Sequence, residues 1–168
     1  MTVKKNRKVF DRLYQEYYAV VRKMCLGYTK GDDAAADDLS QEVFMNAWGA
    51  LDKFRGDSSY KTWIYRITVN TCLLHIRSEQ RRAKRMNELV EETTVVSETP
   101  KDGEFNSLYK AIGMLEKLDR LVIMMVLDQL SYEEIAKVSG ISEGNLRVKI
   151  HRIKKRLKTH LEYVETHG

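Results

Sequence analysis

A single proline, Pro100, and nine glycines in 168 residues leave little material for turns. Many-stranded sandwiches and barrels need a turn every few residues, and nucleotide-binding α/β folds need glycine loops, so neither scheme organises this chain. Cysteine is nearly absent too: Cys25 and Cys72 stand far apart, each inside a helical pattern and neither in a Cys-x-x-Cys pair. They read as buried free thiols in a reducing compartment, ahead of a redox switch or a metal site. No run approaches the roughly 18 apolar residues of a membrane span, and the basic start from Met1 to Lys8 has no apolar core behind it. No membrane insertion and a cytoplasmic location are therefore expected. The four histidines, His75, His151, His160 and His167, are not matched with carboxylates or cysteines at ligand spacing. The paired acids Asp32-Asp33 and Asp37-Asp38 are better explained by a helix start, so no catalytic centre, metal or cofactor is expected.

What remains is a helical chain with an uneven charge. Its composition, 43% hydrophobic and 32% charged, fits one domain or two small ones. The net charge of +5 conceals three blocks: 17 Lys/Arg against 10 acids in residues 1–85, 1 against 6 in 86–105, and 11 against 8 in 106–168. Two basic blocks flank an acidic connector, a layout suited to a polyanion gripped at two places.

Apolar residues recur at helical spacing from Phe10 through Leu13, Tyr17, Val21, Met24 and Tyr28, until Lys30-Gly31-Asp32 supplies a stop. A second helix is expected from about Asp33 to Leu51, with Leu39, Val43, Ala47 and Leu51 on one stripe and Phe44 and Trp48 on a neighbouring one. After a loop at Lys53–Ser58, Ser59 caps a third helix with an inner stripe of Trp63, Ile64, Ile67, Thr71 and Leu74. The period is lost at 86–104, which holds Pro100 and Gly103 and reads as a flexible linker averaging roughly 24 Å end to end. Periodicity restarts at Phe105 and runs through Leu115 to Leu127. Ser131-Tyr132-Glu133-Glu134 then forms a capping box, Gly140 ends the helix it starts, and Ser142 caps the last one. The expected fold is all-α, two small helical domains at 1–85 and 105–168 joined by the acidic linker.

Ala136, Gly140 and Leu146 have the spacing of a helix-turn-helix: a small residue where two helices cross, a glycine for the positive φ of the turn, and a core plug from the second helix. On the wheel of the final helix, Leu146, Ile150, Ile153, Leu157 and Leu161 form one stripe, while Arg147, Lys149, Arg152, Lys154, Lys155, Arg156 and Lys158 cover the rest. A merely solvated helix would mix signs for i,i+4 pairing. This pattern suits a major-groove reader, with Asn145, Arg147 and Lys149 reaching base edges and later cations holding phosphates. About five phosphate contacts would set the log-log salt slope of binding near −4.5. A second signature lies at Phe54, Tyr60, Trp63 and Tyr65, interleaved with Arg55, Lys61 and Arg66 and followed by Asn70 and Arg77. Aromatics beside cations are what an unstacked single-stranded base needs. Trp63 shares the core stripe, so packing competes with stacking there.

Together these residues resemble the extracytoplasmic-function sigma factors, the smallest members of the bacterial sigma-70 family. The matching stretches are Leu13–Tyr18, Ala36–Phe44, Phe54–Ile67 with Asn70, Leu130–Ala136 and Gly140–Gly144, in family order and covering nearly the whole chain outside the linker. The resemblance implies that Asp37, Asp38, Leu39, Gln41, Glu42, Phe44 and Trp48 bind the core RNA polymerase. A second apolar stripe beside the core stripe fits a partner helix, although Phe44 and Trp48 also fit plain core packing. It further implies that Phe54, Arg55, Ser58, Ser59, Tyr60, Lys61, Trp63, Arg66, Asn70 and Arg77 melt and read the minus-ten element through the non-template strand. Ser142, Glu143, Asn145, Arg147, Lys149, Arg152 and Lys155 would read the duplex minus-thirty-five element, and a separate anti-sigma factor would regulate the chain. Two departures stand out. The family usually has Leu-Pro where this chain has Leu115-Glu116, and Thr-Val-Lys-Ser-Arg where it has Asn145-Leu146-Arg147-Val148-Lys149. Asn favours adenine and Arg favours guanine, so the second departure implies a different promoter sequence. A stand-alone helix-turn-helix regulator of duplex operators is the rival reading, but it leaves the aromatic loop from Phe54 to Trp63 without a task.

Overall fold

The computed structural model describes residues 2–87 and 104–168, and among them every regular element is helical. The order is α1 (Thr2–Tyr28), α2 (Asp33–Ala50), a 3-10 turn (Leu51–Lys53), α3 (Tyr60–Asn87), α4 (Glu104–Gly113), α5 (Lys117–Leu127), α6 (Tyr132–Ser139) and α7 (Glu143–His167). Most of the expected linker, Pro100 and Gly103 included, lies outside the described residues. No helix among those described is long and apolar enough to cross a membrane.

Local signals set most boundaries. Asp32 caps α2 by accepting from the Ala35 amide at 3.0 Å, and the chain reaches it through Lys30 and Gly31, both at positive φ. Ser59 accepts from the Thr62 amide at 3.1 Å and starts α3. The capping box at Ser131 and Glu134 is complete in both directions, at 2.8 and 3.1 Å, and Gly140 ends α6 at φ 75°.

Three boundaries differ from the periodicity. The basic start is helical from Thr2, well before Phe10, and the Asn6 side-chain amide donates to the Asp52 carboxylate in the 3-10 turn, tying the start of the helix down. α3 continues to Asn87, past the expected start of the linker. The apolar run from Phe105 to Leu127 is two helices broken at Met114–Glu116, where the Met114 and Leu115 amides bond to Ala111 and Ile112, three residues back. Glu116 caps α5 at φ −63° and ψ 153°, the φ that a proline would impose.

α1, α2 and α3 pack around Met24, Cys25, Leu39, Val43, Ala47, Ile64 and Cys72. The two thiols are free and buried, and the neighbouring Cys25 thiol together with burial pushes the Cys72 thiol up. Leu74 leaves the expected stripe and is exposed, while Thr68 and Val69 turn inward instead. A second core gathers Ile112, Leu121, Met125, Ile135, Leu146, Ile150 and Ile153 from α4 to α7. The two cores meet along a seam where α5 lies on α1 and α6 on α3. At Gly27 the seam is so close that an added Cβ would sit 2.5 Å from Met124 Cγ and Sδ. Gly27→Ala is therefore expected to loosen the seam at a cost of about 1–3 kcal/mol. The checks are a lower urea midpoint and a larger radius of gyration by small-angle scattering, with helicity retained.

Candidate nucleic-acid and partner interface

On α1 and α2, an aromatic ladder runs across the surface of the first half. Phe44 stands 4.7 Å from Tyr14, 6.1 Å from Tyr18 and 6.3 Å from Phe10 between ring centroids, and Phe10 lies 5.2 Å from Trp48 in an edge-on contact. The two residues of the neighbouring stripe separate here: Phe44 is 3% exposed, Trp48 43%. Phe44 thus supports the ladder from beneath, in the packing role that the sequence also allowed it, while Trp48 faces outward. Asp38, Gln41, Glu42 and Trp48 are exposed on one face, while Leu39 is buried and Asp37 is held by Arg22 Nε at 2.7 Å. Met45, 73% exposed, completes that face. Sequence reasoning passed over it, although it lies four residues after Gln41 and three before Trp48, the spacing of a helical neighbour.

In the loop before α3, Gly56 at φ 77° turns the chain so that Phe54 stacks on Tyr60 with centroids 4.5 Å apart and planes 24° apart. Trp63 leans on both, at 5.2 and 6.3 Å. All three are half-buried, and Phe54 and Trp63 share a cleft with Arg55, Ser58 and Arg66. Arg55 and Asn70 are exposed. Arg77 lies in α3, with its side chain outside those described.

Tyr65 departs from the expected aromatic set. It is 3% exposed, and its hydroxyl donates to Asp128 of the second half at 3.4 Å. Burial and the Asp128 charge raise its pKa; burial likewise raises that of Asp128, against Lys23 and the Tyr65 hydroxyl. The predicted readers Lys61 and Arg66 also meet the second half. Lys61 Nζ lies 3.1 Å from Glu134, and Arg66 Nε donates to the Lys137 carbonyl at 2.9 Å. The Ser131 amide and then Lys61 hold the Glu134 carboxyl below its usual range. Contacts across ~70 residues carry no local signature, which is why periodicity missed this cover.

The helix-turn-helix is formed by α6 and α7. Ser142 accepts from the Asn145 amide at 3.4 Å, and Leu146, Ile150 and Ile153 are buried. Glu143, Asn145, Arg147, Arg152 and Lys155 are exposed along α7. The Arg147 guanidinium lies 6.0 Å from the Tyr132 ring centroid, within cation–π reach. Lys149 differs from the others: its Nζ is 2.7 Å from Oδ1 of Asp119, a buried acid on α5.

Two family profiles match the chain, Sigma-70 region 2 over residues 13–82 and Sigma-70 region 4 over residues 105–157. The ECF RNA polymerase sigma-E factor of Escherichia coli K12 is 31% identical over 166 residues, spanning 89% of this chain and 84% of the relative. The factor of the same description from Haemophilus influenzae is 26% identical over 171 residues, spanning 94% and 89%. The fold is similar to that of the sigma factor RpoE of Bartonella quintana, solved in complex with the anti-sigma factor NepR. That match has a TM-score of 0.76 at 23% identity, covering 92% of this chain and 98% of that one. CnrH, solved with the cytosolic domain of CnrY, matches with a TM-score of 0.66 at 23% identity, covering 94% and 90%.

The ladder geometry separates packing from surface. Phe44→Ala is expected to destabilise the fold by about 3–5 kcal/mol, the cost of emptying a buried aromatic site. Trp48→Ala should lose distinctly less in the same urea titration.

Proposed function

The chain belongs to the extracytoplasmic-function sigma factors of the sigma-70 family, and from that membership we propose that it binds core RNA polymerase and directs promoter-specific initiation of transcription. The observation that carries the reading is that one chain presents two chemically different nucleic-acid surfaces. One is the Phe54–Tyr60–Trp63 cluster beside Arg55 and Asn70; the other is the capped, cationic α7.

The division of labour follows from the chemistry. Residues 1–85 take the region 2 role, and Asp38, Gln41, Glu42, Met45 and Trp48 offer polymerase an acidic and apolar face. Phe54, Tyr60 and Trp63 stack bases of the melted non-template strand, with Arg55, Ser58, Ser59, Asn70 and Arg77 along its path. Residues 105–168 take the region 4 role. There Ser142, Glu143 and Asn145 stand at the start of α7, Arg147 reads a base edge, and Arg152 and Lys155 hold phosphates.

Lys61 and Arg66 join the minus-ten surface once α6 lifts from α3. An exposed ion pair such as Lys61–Glu134 is worth roughly 0–1 kcal/mol and is screened by salt, so a polyanion displaces it readily. The chain acts by binding, in the cytoplasm with polymerase, and a separate anti-sigma protein is its proposed regulator.

In a reconstituted system with core polymerase and genomic fragments, discrete start sites are expected only when the chain is added. Binding to duplex operators with no stimulated transcript would favour the stand-alone regulator instead. Trp48→Ala and Met45→Ala are expected to weaken capture by core polymerase while helicity stays unchanged. Arg147→Ala should relax preference at one base pair by about 1–3 kcal/mol, measured on a panel of single-position promoter variants; uniform weakening would show a phosphate contact.

A further inference from the structure

In the first turn of α5, Asp119 sits between Leu118 and the buried Arg120 and Leu121, and its side chain is only 4% exposed. A carboxylate that dry is costly unless charged partners reach it. The start of α5 offers part of the compensation, since the helix dipole favours negative charge there. The rest comes from α7. Lys149 Nζ lies 2.7 Å from Oδ1, and Arg156 approaches Oδ2 at 3.9 Å. Lys149 and Arg156 are two turns apart on one face of α7. Asn145 and Arg152 share that face, which closes a cleft against Glu116 and Asp119.

On the reading of α7 as the minus-thirty-five helix, we propose that Asp119 is a positioning residue for promoter recognition. It holds Lys149 against α5, takes a mobile cation out of the DNA-facing set, and fixes how α7 presents Asn145 and Arg147. A free lysine on a reading helix finds a phosphate in any register, so it favours misplaced complexes over the single docking in which Asn145 and Arg147 meet their bases. Tying that lysine to a buried acid lowers non-specific affinity and so widens the gap between the right promoter and all others. Lys149 is then a brace, where its place in the helix had suggested a reader.

The test uses the full chain in two arms. In the first, wild type, Asp119→Asn and Asp119→Asn/Lys149→Met are titrated with a random-sequence duplex across a salt series. Release of Lys149 in Asp119→Asn should make the log-log slope more negative by about 0.9, the increment of one phosphate contact, and the double substitution should restore the wild-type slope. In the second, complexes with core polymerase are compared on a promoter located by transcript mapping and on the same promoter with a scrambled minus-thirty-five element. Asp119→Asn should lower the ratio of the two affinities about tenfold. Asp119→Leu, which removes the charge without burying a polar group, gives the same readouts if the Asn variant fails to fold. An unchanged slope and an unchanged ratio alongside a lower melting temperature would show a purely structural acid and overturn the proposal. An absence of chain-dependent transcripts with wild type would instead overturn the sigma-factor reading, and the salt arm would still decide whether Asp119 restrains Lys149.

Discussion

A positive charge buried at the end of α1 holds the two halves together. Arg120 is 9% exposed; its Nε donates to the Leu115 carbonyl at 2.9 Å and its terminal nitrogen to the Tyr28 carbonyl at 3.1 Å. Burial lowers its pKa, yet a guanidinium starts so high that it stays ionised. The site tolerates that charge because Tyr28 is the last residue of α1, where carbonyls without helical partners carry the negative end of the helix dipole. Once Arg120 is seated, α5 lies along α1 with Met124 in the notch above Gly27, and α6 comes down on α3. The cover over Lys61 and Arg66 is thus a consequence of a contact made elsewhere.

The acids of the second half share a pattern. Glu134 meets Lys61, Asp128 meets Lys23, and Asp119 meets Lys149. Each carboxylate occupies a cation that phosphate would otherwise attract, and the burial of the acid decides how firmly. Glu134 is partly exposed and its pair is screened, so DNA or polymerase competes with it on easy terms. Asp119 is dry, and separating it from Lys149 would strand a buried charge. One kind of interaction therefore serves as a removable cover in one place and a fixed brace in another.

What was legible in the sequence was what depends on near neighbours. Ser131 with Glu134, Gly140, Ser142 and the Leu146–Ile150–Ile153 stripe each carry their structural reason within a few residues, and the structure places them as their chemistry requires. Less legible was anything settled across the fold. Phe44 and Trp48 share a stripe, and only the rings of α1 bury one and leave the other at the surface. Tyr65 looks as available for stacking as Tyr60 until Asp128 arrives from 63 residues away. Asp119 could be noticed as an acid within an apolar run, but its partners on α7 were visible only once the helices were packed.

Glu116 bears on how the second half comes to be folded at all. Its φ of −63° is one that a proline ring would hold before any other contact forms. With glutamate at that joint, the unfolded chain keeps rotations that it must surrender as α4 and α5 meet, a difference of about 0.4–1 kcal/mol borne by the unfolded state. The same freedom leaves the joint between α4 and α5 less stiff than a ring would, on the half of the molecule that the proposed lifting of α6 from α3 would set in motion.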